Sequence, residues 1–339
     1  MFNLFKKRED REPAASLDEV ELNIAQIPGA FEIVEGYPRV DWSVVRKAVE
    51  RYDARPTVNQ IWTELTAQWL GMVGRQLGER YEITESRYLL LLSAQSAGAS
   101  DRLPKIADEA YERAQQMVGR NGEPRRYGKH AVIALESTRE YDDHITHCYA
   151  ENERQMYRKN ASYIARGYRN TVLDGSSANM LRALVGFLAH DVVFDFPLPH
   201  WLEAGFLDFA EDMVQIPGYG DWRINERQVR VHQRYWSWFG IEHFWHGRGF
   251  LNDSSQRLCN ELAKILFRNL ASDRKRRPRL GGFIQVADRT DAGAAACVSC
   301  FGCSLSELVA EFLGPGEWGP KGKYPPKVGT AEDARDRSE

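Results

Sequence analysis

The apolar positions of the chain change period along its length. From Asp41, Trp42, Val45 and Val49 recur at roughly helical spacing, and a longer helical pattern runs from Val58 to about Leu77 through Ile61, Leu65, Trp69 and Val73. An N-terminal helical hairpin is predicted. Tyr88 to Leu92 then form a short apolar run of strand length after an alternating lead-in. A helix is predicted over Arg102 to Val118, with Ala107, Ala110, Ala114 and Met117 on one side. HAVIALES, residues 130–137, reads as a second buried strand, and residues 138–154 as a polar helix. Tyr163 to Ala165 and Thr171 to Leu173 read as strands around a turn containing Gly167, a candidate edge hairpin.

From Ser177 the pattern is almost entirely helical: 178–194, 201–216, 225–246 with a break near Gly240, 254–271, and short helices near 291–301 and 304–313. No repeat of 20 to 50 residues is present. A β-containing first half followed by a helical second half gives an α+β fold class, a small mixed β-sheet with helices and then an all-helical lobe. The expected organisation is a flexible segment over residues 1–37, one domain over 38–320 with lobes 38–195 and 196–320, and a disordered tail over 321–339.

Composition narrows the function classes. Of 339 residues, 45 are Lys or Arg and 48 are Asp or Glu, a net charge of −3 that argues against a nucleic-acid partner. No stretch reaches the ~18 uninterrupted apolar residues of a membrane span, and no apolar run follows the charged opening, so neither a membrane nor a leader is expected. Five Cys, three of them crowded together, do not resemble a disulfide framework, which predicts a reduced, cytoplasmic protein.

Two segments carry a family resemblance. LVGFLAHDVVFDFPLPHWLEAGFLDFAE, Leu184 to Glu211, is a helix, a Pro-x-Pro corner and a second helix opening on Trp201-Leu202. It resembles the active-site segment of gluzincin-type zinc metallopeptidases, the peptidase MA-like group, in which a His-Glu-x-x-His helix leads into a Trp-Leu-x-Glu-Gly helix. The run from Asp291 to Pro320 is similar to the terminal helices of bacterial members. The resemblance covers roughly Tyr81 to Pro320 and implies a zincin-like fold.

Helical His-Glu-x-x-His works because positions four apart share a face and both bind zinc, while the Glu takes a proton from metal-bound water. Registered on the Pro-x-Pro corner, this chain has Gly186 at the first His, Phe187 at the base and His190 at the second His. Trp201, Leu202 and Gly205 match the second helix, but Ala204 occupies the third ligand position. Glu203 is adjacent, rotated by about 100° on the helix. A catalytic zinc site needs three protein ligands and an open position, so no catalytic residue, metal or other cofactor is expected. What the resemblance implies is a catalytically inactive metallopeptidase-like protein that binds a protein or peptide in the former cleft, around Phe187, His190, His200, Trp201 and Glu203. The alternative is an active metallohydrolase with zinc held by His190 together with His200 or Glu203.

Other constellations stand beside plainer readings. His144 with His147 and His243 with His246 have helical i, i+3 spacing without an identifiable third ligand. Cys297, Cys300 and Cys303 begin like a ferredoxin run but lack its fourth Cys, so core thiols are the simpler reading, with a metal or redox cluster completed by Cys148 or Cys259 as the other. The basic run Asp273 to Leu280 reads as a solvated loop, and Gly281-Gly282 as turn punctuation. Trp236, Phe239, Phe244 and Trp245 read as core of the helical half or as the lining of a groove.

Overall fold

The computed structural model describes residues 22–51, 55–94, 102–120, 127–149, 154–158, 161–164, 168–177, 179–213 and 225–322. Residues 1–21 and 323–339, most of the two predicted tails, lie outside the described residues, as does the turn at Gly167. The chain divides into two compact units, one of residues 1–100 and 124–176, the other of residues 101–123 and 177–339. The units therefore part at Ser176 rather than near residue 195, and the helix over Arg102–Val118 is counted with the second. At this level the chain is a mixed helix and sheet protein.

In the first unit, β1 (Phe31–Val34) and β2 (Tyr37–Val40) form an antiparallel hairpin in which Val34 pairs with Tyr37. Its two turn residues, Glu35 and Gly36, have φ of 51° and 90°, as the tightest hairpin connection requires. The first 37 residues are thus not a loose segment throughout. Ile24 and Ala30 are buried in the same core as the helices α1 (Trp42–Val49) and α2 (Arg55–Leu77), which follow the hairpin. Asp41 caps α1 by accepting the backbone N–H of Ser43 and Val44.

A six-stranded sheet follows, with β3 (Glu82–Glu85), β4 (Leu89–Ser93), β5 (His130–Leu135), β6 (Arg154–Arg158), β7 (Ala161–Ile164) and β8 (Asn170–Asp174) in the order β3-β4-β5-β8-β7-β6. β4, β5 and β8 are mutually parallel and buried along their whole length. That double burial is why Leu89 to Leu92 read as a continuous apolar run rather than an alternating one. The β7–β8 hairpin does not lie at an edge, because β8 sits between β5 and β7, with β6 outside β7. The helix α4, taking α3 as Arg102–Val118, covers Thr138–Cys148 and ends six residues short of the predicted boundary. Tyr149 is already extended at φ −134°, and β6 begins at Arg154.

The second unit is helical: α3, α5 (Met180–Val193), α6 (His200–Met213), α7 (Glu226–Phe239), α8 (Glu242–Trp245), α9 (Asp253–Ser272), α10 (Leu280–Val286), α11 (Ala294–Phe301) and α12 (Leu305–Leu313). Every residue of α5 from Ala183 to Val193 is buried, so its sequence shows no polar face. α6 lies so close to α9 that a Cβ on Gly205 would stand 2.6 Å from the Ala263 carbonyl oxygen. Arg182 of α5 pairs with Asp208, at 3.3 Å, and with the buried Glu211 of α6. The buried Lys264 of α9 pairs with Asp212 at 2.9 Å. α10 replaces the turn expected at Gly281-Gly282, and a Cβ on Gly281 would be 3.1 Å from the Met117 carbonyl oxygen of α3.

Candidate functional site

The corner between α5 and α6 gathers the residues singled out by the motif. The backbone N–H groups of Leu202 and Glu203 both donate to the Pro199 carbonyl at 3.0 Å, so α6 starts tightly on the Pro-x-Pro segment. Trp201 is completely buried, its indole Nε1 donating to the Ala292 carbonyl at 2.9 Å and its ring edge-on to Trp245. Phe187 is completely buried as well, and Gly186 beside it is buried. Ala204 is half-buried and offers only a methyl group at the position where a Trp-Leu-x-Glu-Gly motif would carry its Glu.

His190 and Glu203 are brought together. Glu203 Oε1 lies 3.0 Å from His190 Nδ1, with the His190 side chain 5 % and the Glu203 side chain 20 % exposed. The other oxygen of Glu203 is 3.6 Å from a terminal nitrogen of Arg289. Arg289 also donates from Nε to the Leu198 carbonyl at 2.9 Å, and its backbone N–H donates to the Pro197 carbonyl at 3.0 Å. The Arg289–Asp291 turn thus acts as a strap across the corner, held at Pro197, Leu198, Trp201 and Glu203. Burial lowers the Arg289 pKa from its ordinary value, and the Glu203 carboxylate opposes that shift.

This donor set does not fit a catalytic zinc ion. One imidazole and one carboxylate face each other, the carboxylate is shared with a guanidinium, and Gly186 and Ala204 supply nothing. Among the described residues no group of three His, Cys, Asp or Glu side chains is placed to hold a metal. His200 lies against the Gly247 turn, where a Cβ would come within 1.8 Å of its Cδ2, and stacks on Phe250.

The other His and Cys sets also separate on inspection. His144 is buried without any exposure, whereas His147 stacks on Tyr37 and lies 2.8 Å from Glu35. His243 is exposed, and His246 is 3.9 Å from Glu242. Cys297 is buried in contact with Cys303, and burial raises its thiol pKa, with Cys303 adding to the shift. Cys300 and Cys303 are half-buried, while Cys259 packs against Gly249, and all five cysteines are free thiols. Trp236, Phe244 and Trp245 are buried in edge-on contacts, as core residues; the Phe239 side chain lies outside the described residues.

Three arrangements have no counterpart in the sequence pattern. One is the strap residue Arg289. A second is the buried His232, whose Nδ1 accepts from Trp236 Nε1 at 3.1 Å while Nε2 faces Glu261 at 3.0 Å. That pattern fixes the neutral tautomer with the proton on Nε2. The third is a cleft of about 450 Å³ in the first unit, between the β1–β2 hairpin, the start of α1 and the end of α4.

Compared with known proteins, the chain matches no family model, no curated protein and no solved structure. Among the described residues no single helix is long and apolar enough to cross a membrane.

Proposed function

We propose that this is a catalytically inactive, metallopeptidase-like protein that acts by binding a protein or peptide rather than by hydrolysis. The observation that carries the reading is the His190–Glu203–Arg289 array, with apolar or small residues at Gly186, Phe187 and Ala204. A catalytic carboxylate must be free to take a proton from water, and here the nearest carboxylate lies 3.0 Å from the buried His190 imidazole and 3.6 Å from the Arg289 guanidinium. The array is then a structural lock on the corner, and the zincin-like frame is retained without its chemistry. The five free thiols support a reducing, cytoplasmic setting.

A second reading is a rewired metallohydrolase, favoured by the 3.0 Å approach of His190 to Glu203. Zinc analysis of protein purified without a tag and reloaded with the metal separates the two. The expected result is substoichiometric zinc, no change in Tm with added zinc, and no chelator-sensitive cleavage of a denatured protein substrate. In the same assay His190→Ala should lower stability alone. Stoichiometric zinc that is lost in His190→Ala together with a hydrolytic activity would establish the second reading instead.

A further inference from the structure

Cys297, Cys300 and Cys303 lie where α11 ends and α12 begins, and neither the metallopeptidase resemblance nor the corner array uses them. Gly302 ends α11 with φ 70°, its N–H donating to the Val298 carbonyl at 2.9 Å. A glycine in this left-handed conformation turns the chain back along the helix, so that the residue after it meets a side chain of the last turns. Here that residue is Cys303, and the side chain it meets in hydrogen-bonding contact is Cys297. Ser304 then caps α12. Its N–H donates to Glu307 Oε2 at 2.7 Å and its Oγ accepts from the Glu307 N–H at 3.2 Å. Cys303 is thus held between the cap that ends one helix and the cap that starts the next, and fixed backbone brings the two sulfurs together.

The two thiols differ in their surroundings. Cys297 is completely buried, whereas Cys303 is half-buried. Core packing accounts for the first and not for a thiol at the surface of the joint. Burial raises the Cys297 pKa, so this sulfur stays a neutral thiol and does not begin an exchange reaction. Cys303 is open to a small reagent, and the Arg276 guanidinium, held by Glu311 at 2.9 Å, is close enough to interact with a thiolate there. Cys300 is half-buried as well, but it precedes the glycine turn and acts on Cys297 more weakly than Cys303 does.

We propose that Cys303 and Cys297 are a thiol–disulfide exchange pair, in which Cys303 takes up a small disulfide from solution and Cys297 resolves it, leaving a Cys297–Cys303 disulfide across the α11–α12 joint. In the first step the Cys303 thiolate attacks one sulfur of the small disulfide, whose S–S bond breaks and releases one small thiol. In the second, Cys297 attacks the Cys303 sulfur of the mixed disulfide, and the second small thiol leaves. The protons of Cys303 and Cys297 end on the two small thiols, so one small disulfide is reduced as one protein disulfide forms. A reversible bond of this kind is the form in which disulfides occur in reducing compartments. The pair is independent of the proposed binding function, because no residue of the corner array takes part in it.

The test incubates the reduced, folded full chain with glutathione disulfide and follows intact mass and disulfide-linked peptides. The unaltered chain is expected to lose two hydrogen atoms, to retain no glutathione, and to yield a Cys297–Cys303 cross-link that reduced glutathione reverses. Cys297→Ala should instead retain one glutathione, on Cys303. Cys303→Ser should slow the loss of the Cys297 thiol by about tenfold or more, and Cys300→Ser should leave the cross-link in place. A principal cross-link through Cys300, glutathione kept on Cys303 in the unaltered chain, or no reaction until the chain is denatured would each overturn the proposal. The position of the cross-link in the unaltered chain decides the matter even if Cys297→Ala fails to fold.

Discussion

At the residue scale, Gly205 shows what close packing alone demands of one position. It follows Ala204 on α6 and stands directly against α9. Replacing it by Ala would gain up to about 1 kcal/mol of helix propensity. The new methyl carbon would sit 2.6 Å from the Ala263 carbonyl oxygen and 2.8 Å from Phe267 Cβ, neither of them a flexible tip. Overpacking of this kind costs about 1–3 kcal/mol, so the steric effect exceeds the propensity gain. Gly205→Ala is expected to lower the denaturation midpoint without changing the slope against denaturant. An unchanged or raised midpoint would show that α6 and α9 are not in such close contact.

At the element scale, the corner depends on a segment far along the chain. The side chain of Arg289 contributes a hydrogen bond to Leu198 and a charge contact to Glu203, while its side chain is only 14 % exposed. Arg289→Ala is expected to destabilise the protein by about 2 kcal/mol, because it leaves the buried Leu198 carbonyl without its side-chain donor and takes a cation from beside the half-buried Glu203 carboxylate. Glu203→Gln added to Arg289→Ala should cost less than the sum of the two single changes, since they share one contact. Strict additivity in chemical denaturation would place Arg289 outside the lock. The meeting of the two helices was legible in the sequence through the Pro-x-Pro corner and the Trp201 to Gly205 run. The strap was not, because no periodicity connects Arg289 to residues some ninety positions earlier. α10 was missed for a related reason: Gly281 looks like punctuation locally and is required only because α3 passes beside it. The strands at Leu89 and His130 were legible because burial on both faces leaves an unbroken apolar run, whereas the four-residue strands of the hairpin are too short to show a period.

At the scale of the whole molecule, each unit carries a buried neutral histidine. Burial holds His144, in the first unit, at about 4 against an ordinary value of 6.5. Its ring faces Cys148, Tyr37 and Tyr149, none of which is charged near neutrality. His232, in the second unit, is also lowered by burial, although Glu261 pulls the other way. An unfolded chain binds these protons near pH 6.5, and the folded chain does not bind that of His144 until about pH 4. Stability is therefore complete above pH 6.5 and is lost as the pH falls from 6.5 toward 4, by roughly 3 kcal/mol for His144 alone. His144→Phe should flatten the pH dependence of the denaturation midpoint over that window. A variant with the same slope as the unaltered protein would show that His144 titrates normally in the fold.

The strap also sets an order of events during synthesis. The Trp201 indole and the Leu198 carbonyl find their partners 91 residues further on, so the corner cannot close until that stretch has been made. At about 5–20 residues per second this is a delay of roughly 5–20 s. Throughout it α5, buried from Ala183 to Val193 in the finished fold, and the Trp201 ring lack part of their cover. Nascent chains halted before Arg289 should therefore recruit chaperones, or be cut by protease near the corner, more readily than chains released a few residues beyond Ala292.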